Sequence, residues 1–137
     1  MKTRYAKSWK SSKQPRKQRK YRHNAPKHIK IKFLSAHLSK SLREKYNRRS
    51  APLRKGDKVK VMRGNQKNKI GKVDRVDLKK SKVYVAGIEV TKKDGNKVPL
   101  PLDPSNLVIT ELFDEDKKRI SKLKKEQKEK KSKSEET

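Results

Sequence analysis

The chain has 137 residues, with 43 Lys and Arg against 15 Asp and Glu and a formal net charge of +28. A chain this basic repels itself and calls for a polyanion, and nucleic acid is the natural one because each phosphate contact releases a condensed counterion. Only 28% of residues are apolar and 42% are charged, which excludes one large core and predicts a small domain with polar extensions. Cysteine is absent, so disulfides, thiolate metal sites and a thiol nucleophile are excluded. There is no apolar run of membrane-spanning length and no secretory-type apolar stretch at the start, which predicts an intracellular, soluble protein. Binding to an anionic membrane surface would need an amphipathic helix with an apolar face, and the basic N-terminus offers mainly Trp9 and Tyr21.

Charge falls along the chain. Residues 1–55 hold 20 Lys and Arg and a single acid, Glu44; residues 111–137 hold 10 against 8. The first segment, through about Asn24, lacks apolar periodicity, and Pro15 to Arg22 reads as a tail that is disordered when free and orders along RNA. Ile29, Ile31 and Phe33 alternate with Lys30 and Lys32, predicting a short extended segment with a basic outer face. Leu38, Leu42 and Tyr46 recur at four-residue spacing and predict a short helix over 38–46. Ser39 or Ser41 would cap it, with Glu44 completing a capping box after Ser41.

From Leu53 to Thr110 the pattern changes to strands. Val59 and Val61, then Val73, Val76 and Leu78, then Val83 and Val85, Ile88 and Val90, and finally Leu107 and Ile109 mark five short strands. Asp94-Gly95 signals a tight hairpin, and Pro99, Pro101 and Pro104 assign 98–105 to a loop or sheet edge. Strands this short and regularly spaced predict a small barrel or sandwich, closure of which removes exposed edges. Asp114 to Lys131 reads as a helix with acids at its start and lysines at its end. Only Ile120 and Leu123 are available to anchor it, so it is expected to be a solvated tail.

One segment is specific. Gly56 to Val73 places two valine-bearing strands around a loop with Gly64 and Gly71 near its ends and Arg63, Lys67 and Lys69 within it. It resembles the KOW motif, V-x-V-x-x-G-x-x-K-G-x-x-G-x-V, with Val59, Val61, Gly64, Lys67, Gly71 and Val73 in register. Asn68 stands where the motif has its middle glycine, and Asn tolerates the left-handed region. KOW domains are small SH3-like barrels. The resemblance therefore implies a mainly β fold, an SH3-like barrel over residues 51–112. A basic RNA-binding extension with a short helix would occupy residues 1–50, and a charged, partly helical tail residues 113–137.

The flanks narrow the resemblance. The run from Ala36 to Ser50, and Lys93-Asp94-Gly95 followed by Val98-Pro99-Leu100-Pro101-Leu102-Asp103-Pro104-Ser105-Asn106-Leu107, resemble one ribosomal family. It is large-subunit ribosomal protein twenty-four in the universal numbering, equivalent to twenty-six in eukaryotes. Pro15-Arg16-Lys17-Gln18-Arg19 and Asn24-Ala25-Pro26 look most like its archaeal members, and the resemblance covers roughly residues 14–120. Asp103 departs from the family, which typically has His there. The resemblance implies a cytoplasmic ribosomal protein that binds the 5′ region of large-subunit rRNA beside neighbouring ribosomal proteins. It further implies early action in assembly, a position near the polypeptide tunnel exit, and no cofactor, metal or small-molecule substrate.

With one Trp, four Tyr and two Phe there is too little aromatic surface for a base-stacking platform, so phosphate contacts and RNA shape should carry recognition. The expected RNA-binding residues are Arg63, Lys67 and Lys69 in the loop, and Arg16, Lys17, Arg19, Lys20 and Arg22 in the arm. Arg48, Arg49 and Arg54 form a second tier. Catalysis finds no support. His23, His28 and His37 lie among cations without an orienting carboxylate, and Asp74 and Asp77 fall on opposite faces of a strand. Gly64 and Gly71 lack the Lys-Ser or Lys-Thr of a nucleotide loop. The alternative is a KOW-containing transcription elongation factor, which would carry a separate polymerase-binding α/β domain before the motif.

Overall fold

The computed structural model describes residues 5–113, 115, 117–121 and 123–124. A 3-10 turn, Lys7–Ser11, precedes α1 (Pro15–Asn24), α2 (Lys27–Phe33), β1 (Ser35–Leu38), α3 (Lys40–Tyr46) and β2 (Ser50–Pro52). Then come β3 (Lys58–Val61), β4 (Ile70–Asp77), β5 (Lys82–Val85), β6 (Glu89–Thr91) and β7 (Lys97–Pro99). A second 3-10 turn, Pro104–Asn106, leads into β8 (Leu107–Glu111). Residues 117–121 and 123–124 are helical. The architecture is thus mixed α/β around a sheet-rich core, where the sequence predicted a mainly β fold.

Six strands form one sheet in the order β2-β1-β8-β3-β4-β5, and β6 pairs with β7 separately. All contacts within the six are antiparallel except β1 with β8, where His37 faces Val108 and Leu38 faces Ile109. β4 changes partners along its length, pairing with β3 at Ile70–Lys72 and with β5 from Val73 onward. Among the described residues no pairing joins β2 to β5, so the ladder is open where the strand count suggested closure.

Period-two patterning builds the core. Val59 and Val61 on β3, Val83 and Val85 on β5, and Leu107 and Ile109 on β8 point inward and are almost wholly buried. They meet Leu34, Ala36 and Leu38 from β1 and its lead-in. Burying each such aliphatic side chain contributes roughly 1.5–3 kcal/mol, which lets a short sheet hold a chain this charged.

Three local predictions are corrected. Ile29, Ile31 and Phe33 lie on a helix, not an extended segment. On α2 the first and last fall four residues apart on one side, and Phe33 packs edge-on against Tyr21. The Pro15–Arg22 run is likewise helical in this structure. Pro15 opens α1, and Tyr21 is buried between Tyr5 and Phe33, with ring centroids 5.5 and 5.8 Å away. α3 forms over the later part of the predicted span, with Leu38 ending β1 instead of starting the helix, and without the capping box. Ser39 is its N-cap with no side-chain cap bond, and its hydroxyl lies 3.1 Å from that of Ser41. Asn47, left-handed at φ 47°, ends it. The predicted hairpin is β6–β7, with Gly95 in the turn at φ 79° and Pro99 at the end of an edge strand. Asp114, Asp116 and the predicted helical stretch past Lys124 lie outside the described residues.

The tail helix is anchored more firmly than Ile120 and Leu123 alone would allow. Arg119 Nη1 and Nη2 donate to Asp57 Oδ1 and Oδ2 at 2.7 and 2.9 Å, and Nη2 also reaches the Pro52 carbonyl at 2.7 Å. Asp57 is completely buried and also accepts from the Arg54 and Phe113 backbone N–H groups. Leu123 is buried as well.

Candidate nucleic-acid interface

The β3–β4 loop holds its shape through its own backbone. Asn68 N–H donates to the Val61 carbonyl at 2.8 Å, Val61 N–H to Lys69 at 2.9 Å, and Lys67 N–H to Gly64 at 3.0 Å. Two residues take left-handed conformations, Gly64 at φ 87° and Asn68 at φ 70°. Asparagine therefore adopts the conformation the motif's middle glycine would supply. Gly71 answers a different need: a Cβ there would lie 2.6 Å from the Ala86 carbonyl oxygen and 2.7 Å from Val85, so only glycine lets β4 pass that backbone.

Arg63, Lys67 and Lys69 are all exposed on this loop, and among the described residues none pairs with an acid. Other lysines of the sheet do: Lys58 reaches Glu111 at 2.9 Å, and Lys82 reaches Asp103 at 2.7 Å. Asp103 thus neutralises a neighbouring lysine.

On α1, Arg16, Lys17, Arg19 and Lys20 are exposed around the helix, while Gln18 and Tyr21 turn inward. Gln18 Nε2 lies 2.7 Å from the Ser12 carbonyl and 2.9 Å from that of Lys10, folding the preceding turn back onto the helix. Arg22 stands over the Phe33 ring, 5.5 Å from its centroid. The first turn of α1 carries cations and no acid, an arrangement the helix dipole disfavours and a bound polyanion would relieve.

Arg48 and Arg54 are brought together with residues that sequence reasoning did not assign. They line an open cleft of about 1270 Å³ between α2, β2, β4 and the tail helix, with His28, Lys32, Arg75 and Lys118. Among the described residues Asp74 is the one acid on that lining, and Ile31, Leu53, Val76 and Leu78 contribute apolar surface. Arg49 is exposed but is not part of the cleft, and neither are the loop cations. Nothing in the local sequence marks Arg75 or Lys118, because four separate elements assemble the cleft.

Among the described residues no His, Asp and Glu cluster suited to a metal ion occurs, and no helix is long and apolar enough to cross a membrane. Asp77 is an acid whose titration the fold visibly alters. Its Oδ1 accepts from the Lys80 and Lys79 backbone N–H groups at 3.0 and 2.9 Å, and these bonds, with the nearby Lys80 and Arg75 charges, hold its carboxyl below the ordinary carboxylate value.

Comparison with known proteins places the chain among ribosomal proteins. Residues 12–126 match the sequence profile of a family described as the ribosomal proteins L26 of eukaryotes and L24 of archaea. The chain is 54% identical over 112 residues to the large ribosomal subunit protein uL24 of Methanoculleus marisnigri, covering 82% of this chain and 93% of that one. Similar relatives bear the same name in Methanosarcina barkeri, at 51% over 114 residues, and Methanosphaera stadtmanae, at 49% over 112 residues. These alignments cover 83% and 82% of this chain, and 98% and 96% of the relatives.

Proposed function

Because this chain belongs to the family of eukaryotic L26 and archaeal L24 ribosomal proteins, we propose that it is a structural, rRNA-binding protein of the large ribosomal subunit. Its partners on this reading are large-subunit rRNA and neighbouring ribosomal proteins, and its place is the cytoplasmic ribosome. It binds the 5′ region of the large-subunit rRNA, joins early in assembly and sits near the polypeptide tunnel exit. Residues 51–112 act as a KOW-type, SH3-like unit, residues 1–50 as the RNA-binding extension, and residues 113–137 as the charged tail. It performs no catalysis.

The observation that carries the reading is the β3–β4 loop. Its backbone is fixed by its own hydrogen bonds and by left-handed Gly64 and Asn68. It presents three exposed cations, and none of them has an acid partner among the described residues. A rigid loop of unneutralised charge suits phosphate contacts, which position a protein on RNA without reading bases. Arg16, Lys17, Arg19, Lys20 and Arg22 on α1 supply a second set of contacts, and Arg48, Arg49 and Arg54 a third. The elongation-factor alternative requires a separate α/β domain ahead of the motif. Here β1 and β2, the strands of that region, lie in the same sheet as β3 and β4.

The test is binding to a 5′-region fragment of large-subunit rRNA as salt is varied. The triple variant Arg63→Gln, Lys67→Gln, Lys69→Gln should lower affinity and flatten the log–log salt slope by about two, since each lost contact removes about 0.7–0.9. An unchanged slope would show that the loop faces away from RNA. Sedimentation of a native lysate at high salt supplies the second readout: the protein should stay with the large subunit.

A further inference from the structure

We infer that the cleft between α2, β2, β4 and the tail helix, together with the Phe113 ring beside it, binds an unpaired stretch of RNA and takes its bases as well as its phosphates. The inference rests on the rRNA-binding reading above but adds a recognition mode that phosphate contacts lack.

Three features converge there. The rim is rich in basic side chains: His28, Lys32, Arg48, Arg54, Lys55 and Arg75 surround about 1270 Å³ of open space, with Asp74 the one acid among the described lining residues. The floor is apolar, and Ile31, at 44% exposure, opens into it from α2. A floor of this kind finds no match on a duplex, whose outward surface is phosphate and sugar, yet it suits a base turned out of its stack. The third feature is Phe113. A smaller concavity lined by Arg54, Lys55, Phe113, Glu115 and Arg119 adjoins the cleft and shares Arg54, Lys55 and Arg119 with it. The ring lies against the backbone of Gly56, where an added Cβ would stand 2.8 Å from a ring carbon, and it remains 38% exposed. The ring thus packs on Gly56 while staying partly exposed, in a concavity that Arg54 and Lys55 line together with Glu115. Such a pairing of aromatic face and basic groove is how single-stranded nucleic acid is held without sequence preference.

An acidic amphipathic helix from a protein also carries negative charge and apolar groups. The seated aromatic ring, and a basic rim on which arginine forks suit phosphate, favour RNA over it.

Methyl NMR of the full-length protein distinguishes these cases, using as probes adenosine and uridine 5′-monophosphate, inorganic phosphate and an acidic amphipathic peptide. The nucleotides should shift the Ile31, Val76 and Leu78 methyl signals and the Phe113 ring signals, whereas inorganic phosphate should leave both unmoved. Shifts with the peptide and not the nucleotides, or equal shifts with phosphate and nucleotide, would overturn the inference. Two variants extend the test to RNA. Phe113→Leu keeps an apolar group on Gly56 but removes the ring, and Ile31→Ser empties the floor without changing charge. Each should weaken binding of a single-stranded oligonucleotide about tenfold with an unchanged salt slope, while binding of a duplex of equal length holds. Phe113→Tyr should restore the affinity. Equal loss on both RNAs, or no loss, would refute the base-binding role. Failure of the rRNA-binding reading itself would appear separately, as an unchanged salt slope in the loop variant.

Discussion

Position 68 shows how a single residue can be read from sequence. The motif register puts a glycine there, the chain has asparagine, and the backbone takes the left-handed conformation at φ 70° regardless. Asn68→Gly should therefore leave stability within about 1 kcal/mol, and Asn68→Val should cost roughly 1–2 kcal/mol, since a β-branched side chain resists that region. Denaturant titration of the three proteins checks this; equal stability of the valine form would mean that the loop relaxes around it. The Asp57–Arg119 pair was illegible for the opposite reason. Its members are 62 positions apart, and Arg119 sits in a run of charges that looks solvated. Arg119→Met should destabilise the fold by about 3–5 kcal/mol, because it leaves a fully buried carboxylate without its cation. Pairing it with Asp57→Leu should not restore the loss, because the Arg54 and Phe113 N–H groups would then lack their acceptor. A denaturation midpoint that barely moves in the single variant would show water reaching the pair.

Among the elements, β3, β5 and β8 announced themselves because alternation along a half-buried strand is written directly in the residues. β1 and β2 did not: Ser35–Leu38 and Ser50–Pro52 have little strand propensity, and they exist because β1 finds β8 from far along the chain. α2 was misread because three apolar residues alternating with lysines fit both periods over so short a span. Tertiary packing chose the helix, putting Phe33 on Tyr21 and leaving Ile31 over the cleft. The turn between β4 and β5 yields a pH prediction. The folded-state pKa of Asp77 is depressed, so its ionised form contributes stability above the unfolded value near 3.8, and that contribution is lost as pH falls through the folded value. Asp77→Asn keeps an acceptor for the Lys79 and Lys80 N–H groups but cannot ionise. It should melt below the wild type at pH 7, and the gap should narrow below pH 4. A gap independent of pH would mean that geometry, not charge, sets the turn.

Across the molecule, composition calls for a polyanion partner, and the motif foretold where one basic loop would stand. The cleft stayed hidden because its residues come from α2, β2, β4 and the tail helix, and only the fold makes them neighbours. The arm gives the last test. Residues 1–24 hold ten Lys and Arg and no acid, yet the main core cluster begins at Leu34. What α1 buries, Tyr21 against Tyr5 and Phe33, lies outside that cluster. Deleting residues 1–24 should therefore preserve a cooperative thermal transition while lowering rRNA affinity. It should also reduce the salt slope by about 0.7–0.9 for every phosphate the arm engages. Both halves matter, because a charged segment that contributes affinity without stability is separable, whereas one that also completes the core is not. Loss of the transition would show that the aromatic cluster around Tyr21 is part of the fold's stability. A retained transition with an undiminished slope would place the RNA contacts wholly on the loop and cleft.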